Sequence, residues 1–243
     1  MILANVRASL GRDDAQLAMR LISRGNGDEL EAAEIRLRDS GLDALLDDPR
    51  LQVSIRELPM GAHASPRLFC YVIVRHSLQA VGEQGRVLAD YVASLLLHFG
   101  LRDRATRIAP VDDEQYHTLA ALLEALDDAD RSRNFLVRAH LGNYALWLSG
   151  LFPDMIEHRR WHRGGPDLEY YEDLGRRGFE LAADHRLARE HGLETVFHEA
   201  AERFGLLRVA LNRISDSHLF PGHHSPDRLM RQVRDEVRWK LLS

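Results

Sequence analysis

The chain has 243 residues, of which 45% are hydrophobic and 28% charged, and its formal net charge is −5. This is long enough for one large domain or two small ones with a core that needs neither disulfide nor metal, and too apolar for a disordered chain. The negative balance argues against broad binding to nucleic acid, and a single cysteine, Cys70, excludes an intramolecular disulfide.

Helix signals dominate from the N-terminus. Asp13 and Asp14 open a segment whose apolar side carries Leu17, Met19, Leu21 and Ile22, and Gly25-Asn26-Gly27 stops it. Asp28 can cap a second helix over 29–38, followed by a short third over 42–46 that stops near Pro49. Leu51, Val53 and Ile55 then alternate as an isolated extended segment would. Pro59, Gly61 and Pro66 mark a linker, which divides the chain into an N-terminal helical region, 1–62, and a main helical domain, 63–243, or leaves one continuous domain, 1–243. The run 68–74 has the β-branched and aromatic content of a buried strand, yet it flows without a breaker into Arg75-His76-Ser77-Leu78 and reads as helix. Cys70 sits inside this run as a buried structural thiol.

A clear amphipathic helix follows over 84–99, with Val87, Leu88, Tyr91, Val92, Leu95 and Leu96 on one face. Val111-Asp112-Asp113-Glu114 reads as the start of another, striped by Leu119, Leu122, Leu123 and Leu126. Residues 133–149 are apolar almost all round, which places that helix at the centre of a bundle. Residues 154–167, with His158-Arg159-Arg160-Trp161-His162-Arg163, read as a polar connection. Helices resume over 167–190 and 193–214. After a loop holding Pro221, Gly222 and Pro226, a last helix puts Met230, Val233, Val237 and Leu241 on one side and spreads Arg228, Arg231, Arg234 and Arg238 over the others. The expected fold is all-α: a bundle-like multi-helix domain with a smaller N-terminal helical region.

No Gly-rich phosphate loop, dinucleotide fingerprint or nucleophile elbow occurs. Asn5 and Arg7 interrupt the N-terminus where a secretory signal needs an apolar core, and the most apolar window, 135–152, is broken by Arg138, His140 and Asn143. A cytoplasmic, membrane-free protein is expected. The second glutamate of His198-Glu199-Ala200-Ala201-Glu202 stands where a zinc-protease helix needs histidine. Glu194, His198 and Glu202, and the Glu114-x-x-His117 pair, are fragments of metal-site spacing without the rest of a set. Neither metal nor cofactor is expected.

The most informative anomaly is on the central helix. His140, Asn143 and Trp147 are spaced i, i+3, i+7 and share a face. Buried there, the imidazole and the carboxamide need hydrogen-bond mates, and Gly142 leaves a gap for another backbone or a ligand. Tyr171 and Arg75 are the side chains best placed in sequence to join them. Read as a site, this is a small polar pocket in a bundle core; read as structure, it is a network that fixes helix register.

Three stretches resemble an uncharacterised bacterial family of helical proteins: residues 69–76, beginning Phe69-Cys70-Tyr71; residues 139–153, Ala139-His140-Leu141-Gly142-Asn143 through Leu151-Phe152-Pro153; and residues 170–175, Tyr170-Tyr171-Glu172-Asp173-Leu174-Gly175. The resemblance spans about 66–220. The family has no established activity, so it brings no catalytic residue with it. With no complete catalytic constellation, the leading expectation is a non-catalytic helical interaction or regulatory protein, able to pair with itself or with a protein partner through the helix at 226–241. The alternative is a bundle enzyme or small-molecule binder centred on His140 and Asn143.

Overall fold

The computed structural model describes residues 1–101, 104–109, 113–128 and 131–242, without the side chains of 127, 128, 131, 132 and 237–242. The described residues form fourteen α-helices and no strand. Helices α1 (Arg12–Ser23), α2 (Gly27–Ser40), α3 (Asp43–Leu46) and α4 (Pro49–Glu57) make up the N-terminal part. Local chemistry fixes their starts. The Asp14 carboxylate accepts from the Gly11 amide, and the Asn26 side chain accepts from the Glu29 amide.

Helix α5 (Pro66–Gln79) is capped by Ser65, whose hydroxyl accepts from the Leu68 amide and donates to Asp14 at 2.7 Å, so the cap also ties α5 to α1. Helix α6 (Arg86–Phe99) packs on α5. Helices α7 (Leu119–Asp128) and α8 (Arg131–Leu151) follow, then α9 (Pro153–Arg163), α10 (Leu168–Ala183), α11 (Arg186–Glu190), α12 (Glu194–Glu202) and α13 (Phe204–Ile214). A five-residue π-helical turn, Ser215–Leu219, leads through a loop to α14 (Pro226–Leu242).

Helix α8 is the centre. It packs against α6, α7, α10 and α13, and residues 139–146 are buried without interruption. The backbone that approaches at Gly142 is that of α10. A Cβ on Gly178 would lie 2.6 Å from the Gly142 amide nitrogen, and one on Gly142 would lie 2.7 Å from the Phe179 ring. The two helices therefore cross at a distance that only glycine permits on both sides.

Four local expectations change. Residues 51–55 are helical: Asp48 caps the Arg50 amide, Pro49 takes the first helical position, and Leu51 and Ile55 share the buried face one turn apart while Val53 points out. Alternation over so few residues is also what an i, i+4 pair produces. Residues 153–163 form a helix rather than a connection, started by Pro153 and burying Ile156 and Glu157. Helix α7 begins at Leu119, and 113–118 are irregular; Val111 and Asp112, where the start was expected, lie outside the described residues. The two long helices near the C-terminus divide at Asp184-His185 and at Arg203.

Helix α14 turns its expected face the other way. Arg231 and Arg228 are buried, at 1% and 5% exposure, whereas Leu229, Met230 and Val233 are 61%, 59% and 47% exposed. The side chains of Val237 and Leu241 lie outside the described residues. The surface beneath is acidic. Arg228 and Arg231 pair with Asp154 of α9 and Asp216 of the π-turn, and Arg234 pairs with Glu157. In return, buried Arg208 of α13 reaches Asp235 at 2.6 Å and Glu172 at 2.5 Å. The positive stripe i, i+3, i+6 on α14 meets carboxylates on its partners, and this complementarity sets which side faces in.

Candidate functional site

His140, Asn143 and Trp147 lie on one side of α8, and Phe99 of α6 links two of them. Its ring is 5.4 Å from His140 and 5.7 Å from Trp147, edge-on to the latter. His140 also stacks on Tyr144 at 5.9 Å. Asn143 accepts a 2.7 Å hydrogen bond from the Tyr91 hydroxyl, which is fully enclosed and whose phenol burial pushes well above the usual range. The cavity bounded by His140, Asn143 and Tyr91 is about 20 Å³, a volume that one water fills.

The two remaining sequence candidates stand apart from this cluster. Arg75 donates from Nε to Asp47 at 2.7 Å and from Nη1 to the Gln84 carbonyl at 3.0 Å, which fastens α5 to the end of α3. Next to it His76 meets the Leu46 carbonyl at 3.0 Å. Tyr171 lies on α10, edge-on to Tyr170, on the side of Tyr144; burial and then the charge of Tyr171 push the Tyr144 phenol up.

Trp147 leads elsewhere. The aromatic row continues from Trp147 to Phe152 at 5.7 Å and from Phe152 to Phe220 at 6.3 Å. It forms one side of an open pocket of about 400 Å³. Phe69, Cys70 and Ile73 of α5, Leu96 and Gly100 at the end of α6, Leu151 of α8, and Ile214, His218, Leu219 and Phe220 around the π-turn complete the lining. The walls are almost wholly apolar; the imidazole of His218 is the one strongly polar side chain among them. A second hollow of about 240 Å³ shares Leu151, Phe152 and Phe220 and ends at Asp154, His223 and Arg228.

The walls are set by neighbouring elements. Arg228 donates from Nη1 to the Phe220 carbonyl at 2.8 Å, so α14 pins the loop that carries the outer aromatic. Ser215 donates to the Leu151 carbonyl and Asn212 to the carbonyls of Ser149 and Gly150, each at 2.7 Å, which joins the π-turn to the end of α8. Burial pushes the Cys70 thiol up to about 11, so at pH 7 it is a neutral wall group that alkylates only slowly.

The sequence reading reached Trp147 but not the pocket around it. The cavity is walled by residues from elements far apart in the chain, which periodicity does not record. In the structure Phe69 is 36% exposed beside Cys70, whereas in sequence it reads only as part of the apolar run 68–74.

Among the described residues no three His, Cys, Asp or Glu side chains are grouped to hold a metal. His198 and Glu202 are exposed on α12, and Glu114 and His117 are exposed in the irregular segment before α7. The rings of His158 and His162 lie 4.3 Å apart, tilted by 40°, on the outer side of α9, beside Arg160, which lies over Trp161. No helix among the described residues is long and apolar enough to cross a membrane. The chain matches no protein-family model, no curated protein and no solved structure.

Proposed function

We propose that this is a non-catalytic binding protein whose ligand is a small, mostly apolar molecule held between α5, α6, α8 and the π-turn. The observation that carries the proposal is the 400 Å³ pocket with its almost wholly apolar walls. Its volume and lining are those of small-molecule sites in general. The π-turn supports the same reading, since single π-turns concentrate at functional sites. The His140–Asn143–Tyr91 cluster then acts as a register lock in the core, and a cytoplasmic setting accompanies the proposal.

Cys70 is the sole thiol, so it reports on the pocket without interference. Alkylation of Cys70 by an apolar maleimide should slow as 4-propylphenol is added, with a parallel rise in melting temperature. Unchanged labelling and unchanged melting over a full titration would remove the proposal.

A second reading, self-association, rests on the exposed Leu229, Met230 and Val233 of α14. If a second copy covers this face, Met230→Asp lowers the sedimentation coefficient of the native species without lowering its melting temperature at high dilution. A wild-type chain that sediments as a monomer across the micromolar range excludes it.

A further inference from the structure

We infer that α9 carries a metal site outside the pocket: His158 and His162 together chelate one late divalent transition metal, Cu²⁺ most tightly and Zn²⁺ less so.

The site exists because residues 153–163 are a helix rather than the connection their polarity suggests. In a loop, two histidines four apart have no fixed relation. On a helix they stand about one turn apart on the same face. Here both side chains are exposed, and their rings lie 4.3 Å apart with a 40° tilt. Neither imidazole makes a hydrogen bond among the described residues, so each is free to turn a nitrogen toward a shared ion. The i, i+4 spacing is the one by which a zinc-protease helix places two imidazole nitrogens on one metal.

The backbone beneath the pair is held in shape. Ile156 and Glu157 are buried, and Glu157 accepts from Arg234 of α14 at 3.0 Å. The last turn, which carries His162, is closed by the Gly164 and Gly165 amides on the Arg160 and Arg159 carbonyls, each at 3.2 Å. Gly164 takes the left-handed conformation that this closure uses, with φ 65°. Only side-chain rotation is therefore lost when a metal joins the two rings.

Three arginines on the same helix oppose a cation, and two of them are directed elsewhere. Arg160 lies over the Trp161 ring and 3.8 Å from Asp167. Arg159 acts on α10: burial raises the Tyr171 phenol, and the charge of Arg159 offsets part of that rise. Arg163 is exposed, so solvent and salt screen its charge. The negative end of the α9 dipole lies beside His162 and favours the ion. Among the described residues no carboxylate completes the set; Asp154, one turn before His158, is engaged by Arg228 and Arg231. Two imidazoles and solvent make up the coordination, which selects Cu²⁺ over Zn²⁺ and both over Mg²⁺.

The chain has 13 histidines, so the test must separate this pair from the others. Cu²⁺, Zn²⁺ and Mg²⁺ are titrated separately into the full chain by calorimetry. The expected result is a tight Cu²⁺ event of one ion per chain, a weaker Zn²⁺ event and none with Mg²⁺. His158→Gln and His162→Gln should each weaken the Cu²⁺ event at least about tenfold, because the second ligand then no longer acts from the same helix. His223→Gln, in the loop pair His223-His224, should leave it unchanged. Both α9 variants alter exposed side chains, so their melting temperatures without metal should match the wild type. Electron paramagnetic resonance of the Cu²⁺ complex gives a second readout: nitrogen coupling from two imidazoles in the wild type and from one in each α9 variant. Wild-type affinity in both α9 variants, or coupling from a single imidazole in the wild-type complex, would overturn the site and leave adventitious metal binding only. So would a wild-type Cu²⁺ affinity no higher than that of the double variant.

Discussion

Asn143 accepts from the buried Tyr91 hydroxyl at 2.7 Å, so the pair acts as a unit. Asn143→Leu leaves the phenol buried and unpaired, and should lower stability by about 1–3 kcal/mol in urea unfolding. Adding Tyr91→Phe to Asn143→Leu should recover part of the loss, because the orphaned hydroxyl is gone. A double variant that loses the sum of the two single losses would contradict this. Gly178 poses the opposite problem, too little room rather than too little bonding. A Cβ there meets the backbone of α8 at 2.6 Å, which no rotamer change relieves. Gly178→Ala should therefore cost about 3 kcal/mol, against the gain of a few tenths to about 1 kcal/mol expected for the same change on an open helix. Gly142 was legible from sequence as a gap for a close approach. Its partner was not, because which glycine of a later helix fills a gap depends on a crossing between α8 and α10 that local spacing does not encode.

Among the elements, the described part of α14 is held by charge. Arg231 is almost fully enclosed between Asp154 and Asp216. Arg231→Ala leaves Asp154 and Asp216 to Arg228 alone and should cost about 3 kcal/mol, whereas Met230→Ala, on the exposed side, should cost under about 0.5 kcal/mol. Equal losses would mean that the apolar side faces in. Arg228→Met has a further effect through the Phe220 carbonyl: it frees the loop wall, so probe protection of Cys70 should weaken even where the chain remains folded. The helical class and the breakers at Gly25-Asn26-Gly27 and Gly100 could be read from sequence, since such signals are local, but the cap of α2 is Asn26 rather than the expected Asp28. The facing of α14 could not, because a pattern with apolar residues on one side and arginines on the other fits a core or an acidic surface equally well. The same limit applies to residues 153–163, where the polar run hides a helix that buries only Ile156 and Glu157 after Pro153.

For the whole molecule, pH is the sharpest lever. Burial lowers His76, His98 and His218, and holds His98 at about 4. The unfolded chain protonates these rings below pH ~6.5 while the folded one keeps them neutral. Their contribution is present in full above that pH and is lost as pH falls toward 4. Asp48 behaves differently. Burial alone would raise it, but hydrogen bonds from Arg50 and Arg36 outweigh burial and hold it at about 2. Its contribution survives until pH falls below the ordinary carboxylate range. Asp90, raised by burial, works in the opposite direction as the carboxylates titrate. The melting temperature should therefore fall between pH 6.5 and 5, and His98→Phe should flatten that decline. A melting temperature that rises over the same interval would contradict the neutral histidines.

The pocket itself is tested most directly at Trp147, one of three tryptophans, which lies in its wall. With 5-fluorotryptophan incorporated, ¹⁹F spectra are recorded as 4-propylphenol is added, and the Trp147 signal is assigned by its absence from Trp147→Phe. The predicted result is a saturable shift of the Trp147 resonance while that of exposed Trp161 stays fixed. A titration in which the Trp147 signal does not move, or in which Trp161 moves with it in unsaturating proportion, would contradict a ligand site at this position.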